Sequence, residues 1–387
     1  MSVGNLGHSE DKVEAQSPLV GSECTGGIPP KAGKGRGKKE RHQRSATVVM
    51  EALGSLLKAE DSAIVAKLLR DLQTGEDGNE GETRRAAAKE LRRFAKNRPQ
   101  VKEMIVEAGG TEILVECLRE GDPSMEEDCV TALFHILESE ECRKRVCEVG
   151  GIDALVGVLE SSSQISQENA AAALFMLSES SEARMLVRIA GGVKSLVALL
   201  GGPSLRGRKD AALALFKLSL DPDCAKEVIR VGGVPALLRI ITDPVLEEKA
   251  AAVILNLSRV AEGRKVFLGE VETVPALAAV MEGGSQRAKE DATGVLLLLA
   301  RISVEVVRAL IEEGVMPTLN ALSQTGTRKA KFKAAALLDI LRGKEGVEAK
   351  TPSKHVLRVV GGAPMDKPQE WWQLALAHAQ AQVRQGT

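Results

Sequence analysis

Four Gly-Gly pairs, Gly109-Gly110, Gly150-Gly151, Gly191-Gly192 and Gly232-Gly233, follow one another at intervals of 41 residues. A repeat of that length restricts the chain to an array of stacked units, because one such unit cannot bury its apolar face without neighbours. Two apolar columns keep the same beat. Leu114, Leu155, Leu196, Leu237, Leu277 and Leu319 are separated by 41, 41, 41, 40 and 42 residues, and Leu133, Leu174, Leu215, Ile254, Leu296 and Leu337 by 41, 41, 39, 42 and 41.

One unit can be followed from Ser204 to Asp243. GRKDAALALFKLSL has apolar residues on a face wide enough for a buried helix, and Asp221-Pro222 ends it. CAKEVIRVGG is a short helix stopped by glycines that reach the left-handed conformation at little cost. VPALLRII then opens with Pro235 in its first turn, where a missing N–H loses nothing, and Pro275 and Pro317 repeat the device. Each unit is therefore expected to hold one short, one medium and one long, Ala-rich helix. With no Tyr, six Phe and two Trp in 387 residues, the composition favours close helix packing over sheet.

The rest of the chain sorts around this array. Residues 1–45 lack apolar periodicity and are expected to form a disordered basic arm. Its run from Lys31 to Arg44 has two readings, a nuclear import signal or a solvated tail. Residues 46–81 are expected to supply capping helices and an acidic loop, residues 82–343 the repeats, about six to seven units, and residues 344–387 a flexible tail. That tail holds Trp371 and Trp372 in a stretch of helical spacing, to be read as a cap on the last repeat or as a docking helix.

Bulk properties narrow the function. A formal net charge of −1 and few aromatic residues disfavour nucleic acid as a ligand. No apolar run reaches the roughly 18 residues of a membrane span and no secretory signal opens the chain, so integral membrane association is not expected and the cytoplasm or nucleus is the expected location. Six Cys without paired spacing suggest neither a metal site nor a disulfide framework, and no cofactor is implied. Cys142 and Cys147 flank Arg143 and Arg145, a pattern open to a reactive thiol or to plain core packing. No catalytic constellation is present.

The wording of the repeats, QENAAAALFMLS, GRKDAALALFKLSLD, EEKAAAVILNLSRVAEGRKVF, QRAKEDATGVLLLLA and GTRKAKFKAAALLDILRG, resembles the armadillo region of plant U-box ubiquitin ligases over about residues 46 to 343. RRAAAKELRRFAKNRPQVKEMIVEAGG looks like that family's first repeat. The resemblance implies an all-α, right-handed superhelical armadillo solenoid whose groove binds substrates or regulators. In that family a U-box recruits the conjugating enzyme. Residues 1–80 hold one Cys, no Tyr and no Trp, and none of the U-box's signature segments. The expected function is thus a non-catalytic protein-interaction scaffold. The alternative is a ubiquitin ligase or ligase subunit whose U-box is lost or supplied by a partner.

Successive repeats place equivalent long-helix residues along one inner surface. That column reads Arg93, His135, Met176, Lys217, Asn256, Leu298 and Asp339, and it is the expected partner site. The armadillo proteins of nuclear import carry Asn in this column and Trp four residues earlier. Here only Asn256 is Asn and the earlier positions read Thr131, Ala172, Leu213, Ala252 and Gly294, so import-cargo binding is not expected. One long-helix turn earlier again, Asp128, Asn169, Asp210, Lys249, Asp291 and Phe332 widen the surface.

Overall fold

The computed structural model describes residues 36–74 and 80–343, with side chains from residue 55 to 74 and from 81 onward. The arm before Arg36 and the tail with Trp371 and Trp372 lie outside the described residues. The chain divides into two units, Met1–Lys58 and Ala59–Thr387. Of the first, residues 36–58 are described, and all are helical. Helix α1 (Arg36–Thr74) begins inside the stretch expected to lack periodic structure and is continuous where two helices are expected. Only Gly37 and Gly54 interrupt its helix-favouring residues and no Pro does, so nothing in it forces a stop.

The second unit contains the repeats. Each consists of a first, second and third helix. The first helices are α3 (Pro99–Glu107), α6 (Glu140–Glu148), α9 (Ser181–Ile189), α12 (Pro222–Arg230), α15 (Ala261–Gly269) and α18 (Val304–Glu312). The second are α4 (Gly110–Glu120), α7 (Gly151–Val158), α10 (Gly192–Leu199), α13 (Gly233–Ile240), α16 (Thr273–Gly283) and α19 (Met316–Thr325). The third are α5 (Pro123–Ile136), α8 (Gln164–Leu177), α11 (Leu205–Leu218), α14 (Glu247–Ser258), α17 (Gln286–Ala300) and α20 (Arg328–Leu341). Ahead of them, α2 (Glu80–Asn97) packs on α5 as a third helix would. The stack is an armadillo solenoid.

Local sequence explains each joint. Gly109, Gly150, Gly191 and Gly232 sit at φ of 77°, 71°, 82° and 83°, left-handed values that L side chains rarely adopt. The second glycine of each pair opens the next helix in a different conformation and is constrained by space. A Cβ on Gly233 would stand 2.4 Å from Val228 Cγ1 and 2.7 Å from the Val228 carbonyl oxygen, and Gly110, Gly151 and Gly192 are similarly hemmed in. Five of the six third helices start on a side chain that accepts a backbone N–H: Asp122 from Ser124, Ser163 from Ser166, Ser204 from Gly207, Ser285 from Ala288 and Thr327 from Ala330, while α14 starts at Leu246 without one. Such caps contribute about 1 kcal/mol each. Third helices also end on a recurrent device, because Arg143, Arg184 and Arg264 of the following first helix each donate to two of the last carbonyls, as Arg184 does to those of Ser178 and Glu179 at 2.9 Å.

Both apolar columns are fully buried at all twelve positions. Small side chains, Ala132, Ala171, Ala173, Ala212 and Ala251 among them, are buried between successive third helices and let their backbones approach. The core is thus one continuous seam with a repeat's contribution at every step.

Candidate partner-binding groove

The inner face is made by the third helices, whose side chains reach from one repeat to the next. Arg92 pairs with Asp128 at 2.9 Å. Asn169 donates to Thr131 Oγ1 at 2.7 Å and accepts from Arg206 at 2.7 Å, while Arg206 also meets Glu168 at 3.2 Å. Lys217 pairs with Glu179 at 2.5 Å, holding that carboxyl below its ordinary range, and Arg287 pairs with Glu248 at 3.3 Å. Lys333 reaches Glu290 at 3.3 Å, lying against Gly294, where an added Cβ would meet its Nζ at 3.2 Å. Burial pushes the carboxyls of Asp210 and Asp291 up.

The seven column residues all fall on this ladder of third helices. Arg93 is exposed; His135, Met176, Lys217, Leu298 and Asp339 are partly exposed; Asn256 is buried. The Asn256 amide is engaged within the protein: it donates to Ser219 Oγ at 3.0 Å and accepts from Arg259 at 3.1 Å. The one Asn of the column is therefore a tie between repeats. His135 stacks at a tilt on Phe134, ring centroids 5.3 Å apart. Burial and the nearby cations Lys102 and Lys96 hold its pKa below the ordinary value, with Glu138 partly opposing them.

That shift has a stability consequence. A base whose pKa is depressed on folding stays neutral in the native state while the unfolded chain takes up a proton, so stability falls as pH drops through about 6.5 and levels off once the native ring titrates. His135→Gln should lose less melting temperature than the wild type between about pH 7.5 and 5.5. Equal losses in the two proteins would show that the ring does not feel this environment.

The apolar component of the face was not legible from the column alone. Ile165 and Val245 stand at equivalent positions on its starting edge, 45 % and 51 % exposed; Leu220 lies on its ending edge at 51 %; and Phe332 is 74 % exposed on the last repeat. Leu220 stands three residues after its column residue, Phe332 seven before, in the second column already named, and Ile165 and Val245 eleven before.

Burial pushes the Cys142 thiol up to about 12 and raises that of Cys147, which disfavours the thiolate a nucleophile needs. Arg143 is bonded to helix-end carbonyls and Arg145 pairs with Glu112; the Arg143 charge opposes the rise of the Cys142 thiol and is outweighed by burial. Among the described residues no cluster of His, Cys, Asp or Glu could hold a metal ion, and no helix is long and apolar enough to cross a membrane.

Three-helix units with this seam and this inner face define an armadillo-repeat protein. A family model described as the plant U-box protein ARM repeat region matches residues 64–350, and the chain belongs to that family. Among solved structures, one engineered protein shares 24 % identity with a TM-score of 0.62, covering 82 % of this chain and 78 % of its own. A designed armadillo repeat protein in complex with the peptide (KR)4 shares 18 % identity with a TM-score of 0.46, covering 72 % of this chain and 99 % of its own. No curated protein matches the chain.

Proposed function

We propose that the chain is a protein-interaction scaffold whose inner groove holds an extended segment of a protein partner. The observation that carries this reading is the exposure of Ile165, Leu220, Val245 and Phe332 on the same face as the charged ladder. Scattered exposed apolar residues are ordinary, whereas several aligned on one concave face between fixed charges form an anchor row for a peptide. Arg93, His135, Met176, Lys217, Leu298 and Asp339 supply the polar and apolar contacts between those anchors, and Asn256 holds the floor.

Peptides selected for binding from a displayed random library should lose about tenfold or more in affinity when Met176→Glu and Lys217→Glu are combined, since one change buries a charge against the peptide and the other reverses one. They should bind Val271→Glu normally, because Val271 is 87 % exposed in the turn before α16 and away from the third helices. Peptides indifferent to the groove pair would place the binding surface elsewhere. Family kinship supports a second reading, a role in ubiquitination through the groove's partner. The scaffold reading expects the purified chain to transfer no ubiquitin with activating and conjugating enzymes, and transfer in that assay would favour ligase activity instead.

A further inference from the structure

We infer that the groove over α11 to α20 takes an acidic, extended peptide segment; this rests on the groove being the partner site and adds the chemistry of the partner. The charge of the inner face changes sign along the array. At the positions equivalent to Ser124, Asp128, His135 and Glu138, α5, α8 and the residues just past their ends carry Asp128, Glu138 and Glu179 and no Lys or Arg. The same four positions in and flanking α11, α14, α17 and α20 hold Arg or Lys eight times against Asp210, Asp291 and Asp339.

What matters for a ligand is which of these cations remain uncommitted. Lys217, Arg206 and Arg287 are paired with Glu179, Glu168 and Glu248. Arg259, Arg301 and Arg342 are different. They recur at 42 and 41 residues, all are exposed, and among the described residues none is within ion-pair distance of a carboxylate, although the charge of Arg259 acts on the Asp291 carboxyl. Arg259 and Arg342 bond the amide oxygens of Asn256 and Asn320, which fixes the guanidinium groups without neutralising them.

A purely structural account of these arginines is that they stand at the C-terminal caps of α14, α17 and α20 and complement the helix dipoles. Complementing a dipole is worth about 0.3–1 kcal/mol. At the ends of α5, α8 and α14, the helix-end carbonyls already take Arg143, Arg184 and Arg264 from the next helix. For α14 the cap arginine is therefore redundant as a cap and present as a charge.

Geometry sets the form of the ligand. Packed helices lie about 8–10 Å apart and an extended chain rises about 3.3 Å per residue, so the three arginines match carboxylates spaced every two to three residues. Lys249, lying 5.6 Å over the Phe216 ring, and the exposed Phe332 add a cation and an apolar anchor beside that row. A basic segment would meet like charge along the whole row.

Fluorescence anisotropy with a labelled peptide of about twelve residues alternating Glu and Thr, and with its Lys-for-Glu counterpart, tests the inference on the full chain. The acidic peptide should bind about tenfold or more tightly than the basic one and weaken with added salt. Arg259→Gln, Arg301→Gln and Arg342→Gln together should weaken it about tenfold, with circular dichroism unchanged because all three side chains are exposed. Equal or better binding of the basic peptide overturns the inference, as does an arginine variant that binds the acidic peptide normally, or no saturable binding of that peptide. Hydrogen exchange separates this failure from failure of the groove itself. A basic peptide protecting the third helices would leave the groove standing without the acidic class. An acidic peptide that protects another surface would remove both.

Discussion

Gly233→Ala is expected to destabilise the protein by about 3 kcal/mol, the upper end of the range for over-packing, whereas Gly232→Ala should cost about 1–2 kcal/mol. The two residues are neighbours and both are glycine, yet they are glycine for different reasons. Gly232 sits at φ 83° with no atom within 4 Å of a would-be Cβ, so its cost is backbone strain alone. Gly233 would place a Cβ 2.4 Å from Val228 Cγ1 and 2.7 Å from the Val228 carbonyl oxygen. The first contact can be relieved by a side-chain shift; the second involves backbone and cannot. Adding Val228→Ala should therefore recover little. The last repeat supplies a natural comparison, with Gly314 at φ 67° and Val315 buried at the second position. There the residue five places earlier is Leu310, branched one carbon farther out than Val228, and the Val315 N–H is 3.4 Å from the Leu310 carbonyl. Urea midpoints of the two single variants measure the difference, and similar values for both would show that the joint yields more easily than its spacing implies.

The fold was legible because a repeat protein states its core many times over. Both apolar columns are buried at every position, so a single mistaken residue could not have hidden the 41-residue beat. The same redundancy failed where a repeat departs from it. In the fifth unit Glu272 and Thr273 replace the Gly-Gly pair, α15 leaves through an extended Glu270, and the turn closes by a Thr273 N–H to Glu270 carbonyl bond of 3.1 Å. The capping residues Asp122, Ser163, Ser204, Ser285 and Thr327 form a column of their own that apolar periodicity passes over. The groove was readable as positions and not as chemistry. Which cations are free depends on pairs 36 to 39 residues apart in the chain, such as Arg206 with Glu168 and Arg287 with Glu248, and a column of residue names carries no rotamers. Asn256 shows the limit most clearly: it falls on the ladder of third helices, while its amide is consumed by Ser219 and Arg259.

Leu215→Ala and Leu337→Ala should differ sharply in effect although the two residues occupy equivalent positions and are both fully buried. Each substitution removes the same atoms and should cost about 2–5 kcal/mol locally. In a stack where every unit is held by its neighbours, the consequence depends on where the loss falls. Leu215 lies on α11, which packs against both α8 and α14. Weakening it loosens two interfaces at once and separates the array into halves, each left with an uncovered apolar face. Thermal unfolding of Leu215→Ala should therefore shift to lower temperature and broaden or split into two transitions. Leu337 lies on α20, which among the described third helices packs only on α17. Its loss releases α18, α19 and α20 while the preceding repeats keep their mutual contacts, so the main transition should stay near that of the wild type and a small early one should appear. Calorimetry reads the transitions, and amide exchange locates them, with early exchange confined to residues after about 303 in Leu337→Ala. If both variants melt in one transition displaced by the same amount, the array unfolds as a single cooperative block, and the nearest-neighbour description of its stability fails.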